Sequence, residues 1–409
     1  MSTYTVTAGA GLAGGATQAR GQAHGQARGQ PRGRSLRLDP VLLGLVSAIL
    51  LLGLVMVTSA SITTAAHETG DPFFYLERQL VLVVAGLVLA AIAFAVPIAL
   101  VERLALPLLG VAALLLVLVL IPGLGHVVKG SRRWLQLPGI NFQVSEAARV
   151  LVLVYIAQYC VRFESVLRSG FQGLGRALAL LAVFAVLLLA EPDFGAASVL
   201  FITGFALLFL AGAPLRWVLA MMLGSGAVMA LLVVFSPYRM RRLTSFLDPW
   251  LHAQDSGFQL IQSLIAIGRG NWFGVGLGAS VQKLFYLPEA HNDFLFAVLA
   301  EELGLVGVVL TLGLFVALAW RVLQISRRAS EAGMKFHAYL AAGFGLWLLV
   351  QSLVNIGVNM GVLPTKGLTL PLMSYGRSSM VVALAWLGLV LRVHHEVSGA
   401  RGATRMRVA

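Results

Sequence analysis

The sequence predicts an all-α integral membrane protein of ten transmembrane helices, with a large outer loop between helices 7 and 8. Composition is the first ground for this. Of 409 residues, 58% are hydrophobic and 11% charged, about half the charged share that a soluble surface needs. The second is spacing: apolar residues gather in runs of about 20, the length that crosses a bilayer as a helix, because unpaired backbone is not tolerated in hydrocarbon. Such runs recur ten times, an even number, so both termini share a side. The third is charge. A net charge of +13 would suggest nucleic acid in a soluble protein; here it reports sidedness, and no nucleic-acid partner is expected. The single cysteine, Cys160, excludes an internal disulfide and any multi-cysteine metal site.

Residues 1–37 open the chain with Gly-Gln dipeptides (Gly21-Gln22, Gly25-Gln26, Gly29-Gln30) among Ala, Arg and Pro. They hold too little apolar surface for a core, so a disordered cationic cytoplasmic tail, a solvated tether, is expected, weak attraction of its arginines to anionic membrane lipids being the alternative. The segment is too long and polar to lead a signal peptide, so the first span is expected to remain as an anchor. The spans read as 41–61, 78–96, 103–121, 145–162, 176–191, 194–212, 215–236, 293–321, 337–360 and 378–395. Together 38–396 make one membrane domain, 237–292 its large periplasmic loop, and 397–409 a short cytoplasmic C-terminal tail. Glu191-Pro192-Asp193 separates the short fifth span from the sixth.

With the termini inside, 18 Lys/Arg fall on the inner segments and 11 on the outer ones, with Arg149 within the fourth span. The inner excess fits the positive-inside pattern. The outer cations concentrate in a few loops: Lys129, Arg132 and Arg133; Arg239, Arg241, Arg242, Arg269 and Lys283; Lys366 and Arg377. Cations kept where topology disfavours them predict an anion to be bound there. A connection as long as 237–292 also predicts function.

Three clusters carry the polar chemistry. In FYLPEAHNDFLFAVLAEELG (285–304), Asp293 opens the eighth span at the outer boundary. Partial desolvation there would raise its pKa and suit a general base, while an N-cap is the equally available structural role. Glu289, His291 and Asp293 alternate, so an extended approach would aim all three one way and could hold a divalent cation such as Mg or Mn. A turn residue with a base-orienting histidine is the stronger reading of Glu289 and His291. Glu301 and Glu302 lie about 12–14 Å deeper along a helix, too far to act with Asp293 at one sugar carbon. A polar contact facing the bundle interior is expected of them.

In SRRWLQLPGINFQVSEAARV (131–150), Arg132, Arg133 and Trp134 belong at an interface. Glu146 and Arg149, three apart, pair on one helical face, either joining helices or walling a substrate cavity. In LPTKGLTLPLMSYGRSS (363–379), prolines, glycines and hydroxyls predict a non-helical outer loop. Lys366 with Thr365, Ser374, Ser378 and Ser379 could cradle an anion; a re-entrant structural turn is the alternative. GRGNWFGVGLGAS (268–280) lacks the strand and helix of a nucleotide loop. Asp193 is expected to cap the sixth span.

Taken in order, SRRWL…QVSE, EPDFG, YRMRRLTSFLDPW, GFQLIQSLIAIGRGNWFGVGLGAS, LPEAHNDFLFAVLAEELG and LPTKGLTLPLMSYGRSS resemble the SEDS family of bacterial shape, elongation, division and sporulation proteins, over about residues 41–395. VQKLFYLPEAHNDF and LPTKGLTLPL are more similar to its division members than to its elongation members. The resemblance implies a ten-helix peptidoglycan glycosyltransferase of the inner membrane, enriched at the septum, that polymerises lipid II at the outer face. It also implies a class B penicillin-binding protein, the septal transpeptidase, as partner among other divisome proteins. The family's essential aspartate falls on Asp293, implying the base that takes the acceptor hydroxyl's proton in an inverting transfer. Arg133, Arg242, Lys283 and Lys366 are the candidates to stabilise the leaving diphosphate.

The chain departs from the family at three places. Val144 replaces the proline of QPSE, Arg149 stands for the usual lysine, and Arg377 occupies a glycine position. If that last backbone has positive φ, arginine costs stability; otherwise it adds a cation near the anion site. A lipid II flippase and a non-catalytic divisome scaffold are the rival functions. Against the first, the polar residues crowd the outer face and no inverted repeat is visible.

Overall fold

The computed structural model describes residues 37–128, 131–137 and 140–408. The tail expected over 1–37 lies outside them except for Arg37, as does Lys129. Apolar runs become helices in the expected places: α1 (Pro40–Thr69), α2 (Phe74–Ala95), α3 (Ile98–Leu120), α4 (Val144–Arg162), the short α5 (Glu164–Ser169), α6 (Phe171–Ala190), α7 (Phe194–Leu210) and α8 (Leu215–Val234). Then come α9 (Pro237–Leu247), α10 (Phe258–Arg269), α11 (Leu295–Glu331), α12 (Lys335–Asn359) and α13 (Arg377–Val408). Among the described residues, nine helices are long and apolar enough to cross a membrane, and α7, at 17 residues, is a shorter apolar one. The chain is a multi-pass membrane protein.

The bundle has two different ends. At one, the connections are short and the first and last helices meet: Asp39 caps α1 through Val41 N and Leu42 N, both at 3.1 Å, and accepts Arg321 Nε of α11 at 2.9 Å. Beside it His394 Nδ1 of α13 stands 3.5 Å from Asp39 Oδ2. At the other end lie the segments 121–143, 191–193, 235–294 and 360–376. In this loop-rich end the chain departs from simple helices. Strands β1 (Gly125–Val128), β2 (Ser131–Leu137) and β3 (Ile140–Gln143) form an antiparallel sheet in order β1-β2-β3. Arg132–Trp134, expected at an interface with no strand foreseen, are in its central strand. The connection 237–292 is partly helical, and α13 continues through residues expected to form a tail.

The largest difference is inside α11, where the helix breaks at Gly304 (φ 64°, ψ −163°). Residues 271–276 of the preceding loop enter the break. Val275 N and Gly276 N donate to the carbonyls of Glu301 (2.9 Å) and Glu302 (3.1 Å); Leu305 N and Val306 N donate to those of Asn271 (2.9 Å) and Trp272 (3.1 Å). Four backbone groups that a broken helix would leave orphaned are thereby paired. The side chains reinforce the join. Glu301 accepts from Val281 N (3.2 Å) and the Ser280 hydroxyl, with Arg269 3.3 Å away. Glu302 accepts Ser59 Oγ of α1 (2.7 Å) and Lys283 Nζ (2.9 Å). Both glutamates thus make the interior polar contacts expected of them.

Only glycine fits at the break. A Cβ at Gly304 would lie 2.3 Å from Gly274 N and 2.7 Å from Gly270 O, in a backbone region hostile to side chains. Gly304→Ala is expected to lower stability by at least about 1–3 kcal/mol from backbone strain, read as a lower thermal midpoint in detergent, whereas Gly313→Ala, with open space around its position, should not.

Candidate active site

Asp293 sits in the turn leading to α11, one residue before its N-cap, Phe294. The approach is not extended. Glu289 has φ 59°, and Asn292 N returns to Glu289 O at 3.0 Å, so Glu289, His291 and Asp293 do not alternate along a strand. Among the described residues no three His, Cys, Asp or Glu side chains group as metal ligands. The extended approach on which a divalent-cation site here would depend is replaced by a turn. Glu289 accepts from Asn292 Nδ2, as a turn residue would. His291 packs its ring 4.3 Å from Tyr75 and 5.6 Å from Tyr375, and its carbonyl accepts Tyr375 N at 3.0 Å.

The 360–376 loop closes over this turn. A Cβ on Gly367 would stand 3.2 Å from Asp293 Oδ2, so the carboxylate reaches the backbone beside Lys366. Lys366 in turn holds Nζ 4.0 Å from the centre of the Phe194 ring at the start of α7, with Arg239 of α9 5.7 Å from the same ring. Cation–π attraction holds both cations against one apolar face. Arg242 Nη1 donates to Thr365 O at 3.3 Å. Arg133 Nε donates to Glu191 O (3.1 Å), and its Nη1 lies 3.8 Å from Asp193 Oδ2. Asp193 caps α7 as expected, accepting Ala196 N at 3.0 Å, and takes Ser145 Oγ of α4 at 3.0 Å.

Lys366 thus lies within electrostatic reach of Arg133, Arg239 and Arg242 as well as of Asp193. Burial, then Arg242 and Arg239, pushes the Lys366 ammonium down to about 8. Burial, then Asp193, pushes the Glu191 carboxyl up to about 9, so this acid adds no negative charge at pH 7. Its two oxygens are buried without a hydrogen-bond partner. Several cations are thus crowded together, with Lys366 partly desolvated, close to Asp193 and to the Asp293 carboxylate.

The remaining candidates divide. Lys283 is buried and ion-paired with Glu302, and also donates to Gly278 O at 2.7 Å. That places it in the α11 join and corrects its expectation as a diphosphate ligand. The serines are buried structural acceptors or donors rather than a cradle. Ser374 Oγ accepts Leu370 N (3.1 Å), Ser378 Oγ accepts Gln143 N (2.7 Å), and Ser379 Oγ receives Thr369 Oγ1 (3.1 Å). Glu146 and Arg149 form the expected ion pair, fully inside, with Arg149 Nη1 donating to Gln351 Oε1 at 3.1 Å. Val144 is the first residue of α4 and Arg377 of α13. Arg377 is not among the described residues with positive φ, so the glycine usual there is not demanded by this backbone.

Sequence reasoning missed Gln351, Asn355 and Asn359 of α12. Asn355 Nδ2 donates to Asp293 O (2.9 Å) and Leu368 O (2.6 Å); Asn359 Nδ2 donates to Asp293 O (3.0 Å); Gln351 Nε2 donates to Thr369 O (3.1 Å). The signal was available: three carboxamides spaced four apart mark one polar stripe on an apolar helix.

The profile of the family described as "Cell cycle protein", covering FtsW, RodA and SpoVE, matches residues 40–399. The chain belongs to this family. A Thioalkalivibrio sulfidiphilus protein called probable peptidoglycan glycosyltransferase FtsW is 56% identical over 379 residues, covering 90% of this chain and 94% of the relative. The FtsW so named from Coxiella burnetii is 51% identical over 352 residues, covering 85% and 94%. Among solved structures, a chain from a peptidoglycan synthase complex that coordinates polymerization and crosslinking shares 34% identity at a TM-score of 0.72, covering 88% of this chain and 99% of that one. Thermus thermophilus RodA shares 32% at 0.64, covering 88% and 98%. Within the family, the resemblance to FtsW members expected from VQKLFYLPEAHNDF and LPTKGLTLPL holds.

Because the Lys366 ammonium lies at about 8, its charge is lost as pH rises through that value, and a bound anion would hold the proton on. Affinity for a diphosphate probe should therefore weaken several-fold between about pH 7 and about pH 9, and isothermal titration should show net proton uptake near pH 8. Lys366→Met should bind more weakly and flatten the pH dependence.

Proposed function

We propose that this chain is a peptidoglycan glycosyltransferase that polymerises lipid II at the outer face of the inner membrane during septal wall synthesis, with a class B penicillin-binding protein as its working partner. The observation that carries this reading is the adjacency of a carboxylate and a cation cluster: Asp293 Oδ2 lies against Gly367, and the preceding residue, Lys366, belongs to the group with Arg133, Arg239 and Arg242.

Glycosyl transfer from a lipid diphosphate needs this pair of features. The acceptor's GlcNAc 4-hydroxyl attacks the anomeric carbon of the donor sugar. Asp293 takes the hydroxyl proton as the new C–O bond forms. The anomeric C–O bond to the diphosphate breaks on the opposite side, inverting the carbon, and the leaving diphosphate keeps the electron pair. The cations around Phe194 meet that growing charge in a partly desolvated setting, where fixed charges act most strongly. Both lipid tails remain in the bilayer, so binding orients the reactants at the loop-rich end.

The deciding experiment uses the purified chain with its cognate transpeptidase, labelled lipid II, and penicillin to suppress crosslinking. Glycan ladders from wild type and none from Asp293→Asn are expected. Ladders from both would remove Asp293 as the base. A wild-type complex that binds lipid II without polymerising it would favour the flippase, tested in vesicles. Cells dividing normally with Asp293→Asn would favour the scaffold. Gly367→Val, which presses a branched side chain on the Asp293 carboxylate, should lower the rate by at least about tenfold, while Gly268→Ala, with nothing within 4 Å of its position, leaves it unchanged.

A further inference from the structure

We propose that Asn355 and Asn359 are positioning residues for the reaction: from α12 they fix the backbone of Asp293 and take over the capping of α11, so that the carboxylate is held toward Gly367 for proton transfer. The inference rests on Asp293 acting as the base.

The geometry has three parts. First, the Asp293 carbonyl receives two N–H donors from one neighbouring helix, Asn355 Nδ2 at 2.9 Å and Asn359 Nδ2 at 3.0 Å. Two donors on the two lone pairs of one oxygen fix the peptide plane that follows Asp293, and with it the direction in which the Asp293 side chain leaves the backbone. Second, Asn355 Nδ2 also donates to Leu368 O at 2.6 Å. One carboxamide thus ties the Asp293 turn to the loop that carries Lys366 and Gly367, setting the spacing between base and cations. Third, Asn359 Oδ1 accepts Ala297 N at 3.2 Å. With Phe294 as N-cap, Ala297 is the third helical residue, and its amide is one that a capping side chain usually takes. Here the side chain that accepts it is a carboxamide from α12, which shares the amide with Phe294 O at 3.0 Å. The choice left open by the sequence, between Asp293 as cap and Asp293 as base, is thereby weighted toward the base.

The two asparagines are themselves held. Both are buried, at 2% and 0% exposure, and Asn359 O accepts Ser263 Oγ of α10 at 2.8 Å. A reacting group supported by side chains that are locked in turn is what precise proton transfer requires, since a displacement of about 1 Å can lower a rate by about a hundredfold.

The test compares Asn355→Leu, similar in volume but without a donor, with Asn355→Gln, which keeps the donor on a longer stem. The wild-type chain and Asp293→Asn run alongside as complexes with the transpeptidase. In Asn355→Leu, kcat for glycan polymerisation is expected to fall at least about tenfold while KM for lipid II stays within about twofold and the thermal midpoint is kept. Asn355→Gln should recover part of the lost kcat. A wild-type kcat in Asn355→Leu, with Asp293→Asn inactive, would overturn the positioning role and leave the base intact. Losses of kcat, lipid II binding and thermal midpoint that run together, without recovery in Asn355→Gln, would also overturn it, because they describe a purely structural contact. Should Asn355→Leu fail to fold, Asn355→Gln decides: kcat reduced at unchanged KM supports the role, and wild-type kcat refutes it. A wild-type rate in Asp293→Asn would instead remove the base assignment on which the inference stands.

Discussion

A buried carbonyl or amide without a partner costs about 1–3 kcal/mol, and lipid offers no water to supply one. The loop-rich end of this bundle is shaped by that constraint. Wherever the chain leaves a helix near apolar surroundings, another segment arrives to pair the exposed backbone. Residues 271–276 fill the break at Gly304. The carboxylates of Glu301 and Glu302 collect amides and hydroxyls from the same loop and from α1. The row Gln351, Asn355 and Asn359 binds the carbonyls of Thr369, Leu368 and Asp293. The irregular loops around Asp293 are thus anchored to helices at many points.

The same constraint separates cations by role. Lys283 is enclosed with Glu302 and Ser59, where its charge is compensated and its work is structural. Lys366 sits instead against the ring of Phe194, within electrostatic reach of three arginines and of Asp193. Two lysines in loops of the same end look equivalent in sequence, and only their surroundings tell them apart.

The helices were legible because a span needs only a run of apolar residues, a local property. Asp293, Lys366, Arg133 and Arg242 were legible as polar exceptions in the loops between apolar spans, and Glu146 with Arg149 as a spacing on one helix. What was not legible depends on distant partners. Nothing local distinguishes Lys283 as the partner of Glu302, or says that residues 271–276 will lie inside α11. The sheet was hidden because its strands are short and the central one bears two arginines. The α12 carboxamides had a visible spacing, but without knowledge of what faces them a polar stripe reads as many things.

The join between Asp39, Arg321 and His394 bears on how the molecule is made. Asp39 precedes the first membrane helix and is completely buried in the finished protein, yet Arg321 lies 282 residues later and His394 later still. At about 5–20 residues per second of synthesis, α1 waits on the order of ten seconds to a minute for its first ionic partner. During that interval a carboxylate at the mouth of the nascent bundle is still hydrated. The bundle is sealed at this end only when α11 and then α13 arrive, so the order of translation sets a late closing step in its assembly.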